Sequence, residues 1–234
     1  MPSAAAGARA LRALRTAWRP SHRLVPSRFP PVGLFDHVAD AKDLEAVYAL
    51  ETLTNDRVRE EVGDLGLVHP NDRITGPGTT PIMAAFTHLN AEGSRFSDGS
   101  YGVYYCARAL DTALAEVRYH QERFLRRTDE GPIRLELRLY LSNLDARLVD
   151  VRKFPEYQIA DDYGPGQRLG RVLREEGKDG VLYRSVRHEG GLCAAVLRPP
   201  VLSACHQASH YAFHFDGTRI VAIDELSAVW TSPR

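Results

Sequence analysis

The stretch from residue 133 to residue 140 alternates strictly between apolar side chains and longer, more polar ones. Its apolar members are Ile133, Leu135, Leu137 and Leu139. Because successive side chains of a strand point to opposite faces of a sheet, this period of two predicts a strand with one buried face. Further strands are predicted at residues 144–151, 180–186, 192–197, 211–215 and 219–223. Few of them are separated by a helix long enough for a parallel crossover, so we expect a mostly antiparallel sheet.

Helices are indicated at three other places in the sequence. Asp111 precedes a segment that is apolar at helical spacing up to residue 127, and residues 40–53 and 164–176 show the same pattern. The apolar run at 82–89 is too short to assign, whereas residues 101–107 read as a strand entered from a turn. These elements in a chain of 234 residues predict one α+β domain with a split or bent sheet and flanking helices.

Basic and acidic residues are distributed unevenly along the chain. The first thirty-five residues hold six arginines and no acid, so the other residues carry the remaining 24 basic and all 30 acidic side chains. We expect residues 1–20 to be a basic Ala/Arg-rich leader, disordered or a short surface helix, with a mitochondrial transit segment as a further alternative. The folded domain is then predicted at 21–225, with a C-terminal tail at 226–234.

Composition limits the classes of partner. A formal net charge of zero argues against direct nucleic-acid binding, and charges interrupt every apolar stretch before the ~18–20 residues of a membrane span. Three cysteines, with no signal-peptide core before them, indicate a soluble protein of the reducing cytoplasm. A homo-oligomer is left open by the sequence.

A metal site is not expected. Four candidate ligands lie close together in the sequence: Cys205, His206, His210 and His214. Their spacing matches neither the zinc-protease helix nor a common zinc finger. The glycine-rich stretch 164–170 lacks the lysine of a phosphate-binding loop and is interpreted as the entry to a helix.

The densest group of chemically distinctive residues lies between 93 and 117. Arg95, Tyr105 and Glu116 are ten and eleven positions apart. Glu116 falls on the apolar side of its predicted helix, where an ionised carboxylate is costly to bury without partners. Spacing alone leaves two interpretations: a structural ion pair between Arg95 and Glu116, or a functional site.

The order of short motifs along the chain resembles that of the RES domain family. The motifs are Arg23-Leu24, Gly93-x-Arg95-Phe96, Tyr105-Cys106-Ala107, Thr112-Ala113-Leu114-Ala115-Glu116-Val117 and Arg184-Ser185-Val186-Arg187. The arginine, glutamate and serine that give the family its name map onto Arg95, Glu116 and Ser185. The similarity runs from about residue 23 to residue 223.

This resemblance implies a fold similar to that of the ADP-ribosyltransferase toxins, which grip NAD with a split sheet. It also implies a toxin that consumes NAD as its substrate and is neutralised by an Xre-type antitoxin. Family members are described as NAD phosphorylases, NAD glycohydrolases or ADP-ribosyltransferases, so the acceptor of ADP-ribose is not fixed by the resemblance.

The residue chemistry suits cleavage of NAD. Loss of nicotinamide passes through an oxocarbenium-like ribose, which the carboxylate of Glu116 can stabilise. The guanidinium groups of Arg95 and Arg23 can grip a pyrophosphate, and the ring of Tyr105 can stack on nicotinamide. Tyr104 should point to the opposite face of the strand. We therefore assign Glu116, Arg95 and Tyr105 as catalytic residues, and Arg23 and Ser185 to substrate binding.

Three functions remain in competition on the sequence alone. The first is an NAD glycohydrolase or NAD phosphorylase, which passes ADP-ribose to water or phosphate. The second is a protein ADP-ribosyltransferase that uses the same site. The third is a non-catalytic interaction module in which Arg95 and Glu116 form a buried ion pair.

Overall fold

The computed structural model describes residues 11–27 and 63–227, and in them three α-helices and seven strands. The strands are β1 Ala13–Pro26, β2 Tyr104–Ala107, β3 Ile133–Asp150, β4 Gly180–Arg184, β5 Leu192–Val196, β6 His206–Phe215 and β7 Ile220–Leu226. The helices are α1 Thr80–Thr87, α2 Leu110–Arg127 and α3 Gly164–Glu175. The predicted α+β class, in one domain with a mostly antiparallel sheet, is confirmed.

All seven strands belong to one sheet in the order β1-β2-β5-β4-β3-β6-β7, and β1 also pairs with β3. This second pairing brings the edge of the sheet back onto itself, so β1, β2, β5, β4 and β3 form a closed circuit. Only β3 and β4 are parallel; the other pairs are antiparallel. Closing this circuit requires the sheet to bend, which is one of the two forms, split or bent, that the sequence predicted.

Strand β3 pairs with three other strands, β1, β4 and β6. Its first half pairs with β6, its length pairs with β1, and its last two residues lie beside β4. The sequence predicted two strands, at 133–140 and 144–151. The structure has a single strand of 18 residues in their place. The polar residues Ser142 and Asn143 interrupt the apolar alternation, and the pairing with β1 shifts register beside them, but both residues remain in the strand.

In the described residues, the core consists of two clusters on opposite faces of the sheet. Neighbouring residues of one strand fall into different clusters: Tyr183 belongs to the first and Leu182 to the second. Helices α2 and α3 pack residues such as Ala113 and Leu169 into the first cluster. Helix α1 packs Met83 and Phe86 into the second. This arrangement is what the period-two patterns predicted.

The predicted leader is wrong for residues 13–20, because β1 begins at Ala13. Thr16 and Trp18 are buried, while Arg15 faces solvent and pairs with Asp145 at 2.8 Å. The arginines thus occupy the exposed face of a strand whose other face belongs to the core. Strand β7 also runs one residue past the predicted end of the domain at residue 225, to Leu226.

The structure also bears on the predicted helices. The unassigned run at 82–89 forms most of helix α1. Helix α2 begins at Leu110, which places Asp111 in the first turn and not at the cap. The predicted helix at 40–53 lies outside the described residues. None of the helices in the described ranges combines the length and apolar character that crossing a membrane requires.

Candidate functional site

A pocket of about 570 Å³ opens between α2, β2 and the loop that precedes β2. It lies against the first core cluster, and it brings together four of the five predicted site residues: Arg23, Arg95, Tyr105 and Glu116. The fifth, Ser185, reaches the pocket through Glu116. Sequence-distant elements therefore converge on one cavity.

The carboxylate of Glu116 is held by Ser185, which follows β4. The Ser185 hydroxyl donates a hydrogen bond of 2.6 Å to Oε1 of Glu116. It also accepts hydrogen bonds from the backbone N–H groups of Arg187, at 3.1 Å, and His188, at 2.9 Å. Because both amides point at the hydroxyl oxygen, its proton is directed towards Glu116. The structure thereby gives Ser185 a positioning contact with the carboxylate.

The second carboxylate oxygen of Glu116, Oε2, accepts no hydrogen bond from any residue that the structure describes. A carboxylate fixed at one oxygen and open at the other can interact with a ligand in the pocket. This geometry suits the stabilisation of positive charge or the binding of ribose hydroxyls.

Arg95 is 7% exposed and does not pair with Glu116. Its Nη1 donates to the carbonyl of Ile159 at 2.6 Å, and its guanidinium lies 4.9 Å from the centre of the Tyr163 ring. Across the described part of the chain it has no carboxylate partner. The interpretation of Arg95 and Glu116 as a structural ion pair is therefore wrong, because each side chain has other partners.

The Arg95 loop is held by close contact with helix α3. A Cβ added at Gly166 would lie 2.3 Å from the Arg95 carbonyl oxygen, and one added at Gly170 would lie 2.1 Å from that of Phe96. Phe96 itself is fully buried and packs edge-on against Tyr183, with ring centres 5.1 Å apart. The glycines at 166 and 170 thus let the helix approach the arginine loop, a role beyond the predicted helix entry.

The Tyr105 hydroxyl is part of the same loop's support. It accepts a hydrogen bond of 2.9 Å from the backbone N–H of Phe96 and lies 2.8 Å from Oγ of Ser94. Burial raises the pKa of Tyr105 to about 12, so the hydroxyl stays protonated at neutral pH. Tyr104 is fully buried in the other core cluster, which confirms that the two tyrosines point to opposite faces.

Arg23 approaches the pocket from strand β1. Its Nη1 donates to the carbonyl of Tyr105 at 3.1 Å, and its guanidinium lies 4.6 Å from the centre of the Tyr104 ring. Its Nε is buried and has no hydrogen-bond partner among the described residues. A buried N–H without an acceptor is costly, so this group is suited to an anionic or carbonyl ligand.

Further polar residues of the pocket wall were not predicted from the sequence. They include Asn90, Glu92, His120, Arg123, Arg127 and Tyr163. The helical period was the available signal for those on α2, since residues 120, 123 and 127 share a face with Glu116. Burial lowers the pKa of His120, which favours the neutral imidazole.

Two of the three histidines of β6 have separate partners. His210 lies 2.8 Å from the side-chain amide of Gln207, and His214 pairs with Asp224 at 2.8 Å. Within residues 11–27 and 63–227, no group of three or more His, Cys, Asp or Glu side chains is arranged to hold a metal ion.

Comparison with known proteins places these residues in a family. The family model of the RES domain matches residues 71–216. The uncharacterized protein y4oC of Sinorhizobium fredii is 37% identical over 199 residues, which cover 85% of this chain and 84% of that protein. The M. tuberculosis MbcT–MbcA toxin–antitoxin complex contains a chain with a TM-score of 0.49 and 12% identity, covering 97% of this chain and 93% of its own. The extent of the family match and the identity to y4oC show that the chain belongs to the RES domain family.

Proposed function

We propose that the protein is a toxin-like enzyme that cleaves the nicotinamide–ribose bond of NAD and transfers ADP-ribose to water or phosphate. The observation that carries this proposal is the Glu116 carboxylate, fixed at one oxygen by Ser185 inside a pocket that Arg23, Arg95 and Tyr105 also line. Membership of the RES domain family supports an NAD-using role in general.

The chemistry needs little besides charge stabilisation. When the C1″–N bond breaks, its electron pair leaves with nicotinamide, which departs as a neutral molecule. Positive charge then develops on the ribose, where the ionised Glu116 stabilises it. An oxygen of water or phosphate forms the new bond to C1″, and attack by water releases one proton.

The arginines supply the binding of the substrate's negative charges. Arg95 and Arg23 both line the pocket, and the planar fork of a guanidinium group suits the oxygens of a pyrophosphate. The ring of Tyr105 offers an apolar face to nicotinamide, while its hydroxyl remains bonded to the Arg95 loop. This division assigns Tyr105 both a stacking and a positioning role.

Regulation by a partner is part of the same proposal. A toxin of this class acts in the cytoplasm and is kept harmless by an antitoxin, for which an Xre-type protein is the candidate. Such a partner would have to block the mouth of the pocket. Co-expression should therefore restore growth and protect the pool of NAD, and an antitoxin that bound without protecting NAD would contradict this part.

The test is the cellular NAD pool after brief induction of the protein, with products resolved by mass spectrometry. The wild type should deplete NAD and yield ADP-ribose or its 1″-phosphate, whereas Glu116→Gln should leave NAD intact. Glu136→Gln is the matched control, because Glu136 is an exposed carboxylate on β3 paired with Arg134. Unchanged NAD in all three strains, with folded protein present, would overturn the proposal.

The alternative acceptor is a protein side chain. A lysate supplied with labelled NAD separates the two functions, since ADP-ribosyl transfer leaves the label on protein and cleavage leaves it in small molecules. Label retained on protein would replace the glycohydrolase or phosphorylase by an ADP-ribosyltransferase.

A further inference from the structure

Helix α2 runs along the pocket and presents four polar residues to it. They are Glu116, His120, Arg123 and Arg127. Eleven residues of α-helix rise about 16 Å, so Arg127 stands at the far end of the pocket from Glu116. If Glu116 marks the ribose that loses nicotinamide, the other end of an extended dinucleotide, which carries the adenosine, lies towards Arg127.

Arg127 is not an available cation at that end, because Glu92 neutralises it. The two side chains form a bidentate ion pair with N–O distances of 2.5 and 2.6 Å, and both line the pocket. Arg127 also holds the pKa of Glu92 below its ordinary value, so the carboxylate is ionised at neutral pH. Two hydrogen bonds to Arg127 leave acceptor positions of the carboxylate open.

The turn that carries Glu92 is built by Asn90. The Asn90 side chain accepts from the Glu92 backbone N–H at 3.1 Å and donates to the Gly93 carbonyl at 2.8 Å. Gly93 is in the left-handed region, with φ of 72°, and begins the Arg95 loop. Glu92 is thus an exposed residue that is attached directly to the loop of the site.

We propose that Glu92, held by Arg127, selects NAD over NADP by binding the adenosine ribose. The carboxylate accepts hydrogen bonds from the ribose hydroxyls, as acidic residues do in other dinucleotide sites. A 2′-phosphate would bring a second negative charge next to Glu92 and would find Arg127 already paired. This inference rests on the proposed function, because it takes Glu116 as the marker of the reacting ribose.

The first measurement compares the kcat/KM values of the purified protein for NAD and NADP. Glu92→Gln should raise the NADP-to-NAD ratio at least about tenfold, since it removes the repelling charge and releases Arg127. The double variant Glu92→Gln/Arg127→Gln should lose most of that gain. Glu136→Gln is again the control and should leave the ratio unchanged.

A second measurement does not depend on turnover. Binding of 2′-AMP by calorimetry should strengthen in Glu92→Gln, while 5′-AMP should not gain affinity. If NAD is cleaved but neither the ratio nor the affinity for 2′-AMP changes, Glu92 and Arg127 form only a surface ion pair and the inference is overturned. If the wild type cleaves no NAD, the proposed function fails first, and unchanged binding of 2′-AMP would then overturn the inference separately.

Discussion

Ser185 and Glu116 lie 69 positions apart in the chain, yet the hydroxyl of one donates to the carboxylate of the other at 2.6 Å. The hydroxyl oxygen is itself the acceptor for two backbone N–H groups. The direction of the carboxylate is therefore set by the turn after β4, and not by helix α2 alone. Catalysis by Glu116 should depend on a residue that need not touch NAD.

Removal of this hydroxyl should reduce turnover more than it reduces NAD binding. A hydrogen bond to a charged group contributes about 1.5–3 kcal/mol, which corresponds to roughly 10- to 150-fold in rate if the contact is fully used in the transition state. We expect Ser185→Ala to lower kcat within that range with a smaller change in KM. Steady-state kinetics of NAD cleavage would measure both.

The control for Ser185→Ala is Ser209→Ala. Ser209 also donates to a glutamate, Glu225, but on the exposed pair β6–β7 away from the pocket. Ser209→Ala should leave kcat unchanged. Equal losses in both variants would show that the effect is one of stability, and an unchanged kcat in Ser185→Ala would contradict the positioning role.

Gly166→Ala should destabilise the protein although it replaces a helical glycine. Helix propensity alone favours alanine by roughly 1 kcal/mol. The new Cβ would however lie 2.3 Å from the Arg95 carbonyl oxygen, and overpacking of this kind costs about 1–3 kcal/mol. Urea unfolding would measure the difference. Gly131→Ala is the control, because a Cβ there meets nothing within 4 Å; a more stable Gly166→Ala would show that α3 does not support the loop.

Tyr105→Phe separates the two roles of that tyrosine. The variant keeps the ring but leaves the Phe96 N–H without its acceptor, which should cost about 1–3 kcal/mol of unfolding free energy. NAD binding that relies on the ring should persist, as measured by calorimetry with the Glu116→Gln background to prevent turnover. Tyr157→Phe is the control, since within the described chain the Tyr157 hydroxyl donates no hydrogen bond. Loss of binding with unchanged stability would reverse the assignment.

The stability of the protein should fall as the pH drops below about 6.5. Burial lowers the pKa of His22, and of His120, so the folded protein binds fewer protons than the unfolded chain in this range. The histidine contribution is complete above the unfolded pKa and is lost as the pH falls towards the folded one. Carboxylates with lowered pKa values titrate at lower pH, near pH 4 and below. The change in stability between pH 5 and 6.5 therefore comes from the histidines.

Chemical unfolding at a series of pH values would test this dependence. His22→Gln should flatten the slope between pH 5 and 6.5, whereas His206→Gln, on the exposed start of β6, should not. The same slope in wild type and His22→Gln would remove His22 as a cause.

Local patterns predicted most of the fold. Alternation located the strands of the C-terminal half, and helical spacing located α2 and α3, because each element has one buried face. Strand β1 was missed because arginines on its exposed face dominate the composition of residues 11–20. Pairing between β1 and β3 joins residues more than a hundred positions apart, and no local pattern reports it.

The residues of the candidate site could likewise be predicted only in part from the sequence. Glu116 was recognisable as a carboxylate on the apolar side of a helix, and the family motifs supplied Arg95 and Ser185. No comparable sequence signal identifies Glu92 or Arg127, because charged residues are common at turns and at the ends of helices. Their place in the pocket depends on how α2 packs against the loop before β2, which only the tertiary structure shows.

The N-terminal strand has a practical consequence for the handling of this protein. Residues 13–18 of β1 pair with residues 144–149 of β3, and Trp18 is buried beside them. A protein shortened to begin at Ser21 would leave that length of β3 with unpaired N–H and C=O groups next to an uncovered apolar surface. Such an edge recruits other chains, so trimming the arginine-rich start should promote aggregation and not solubility.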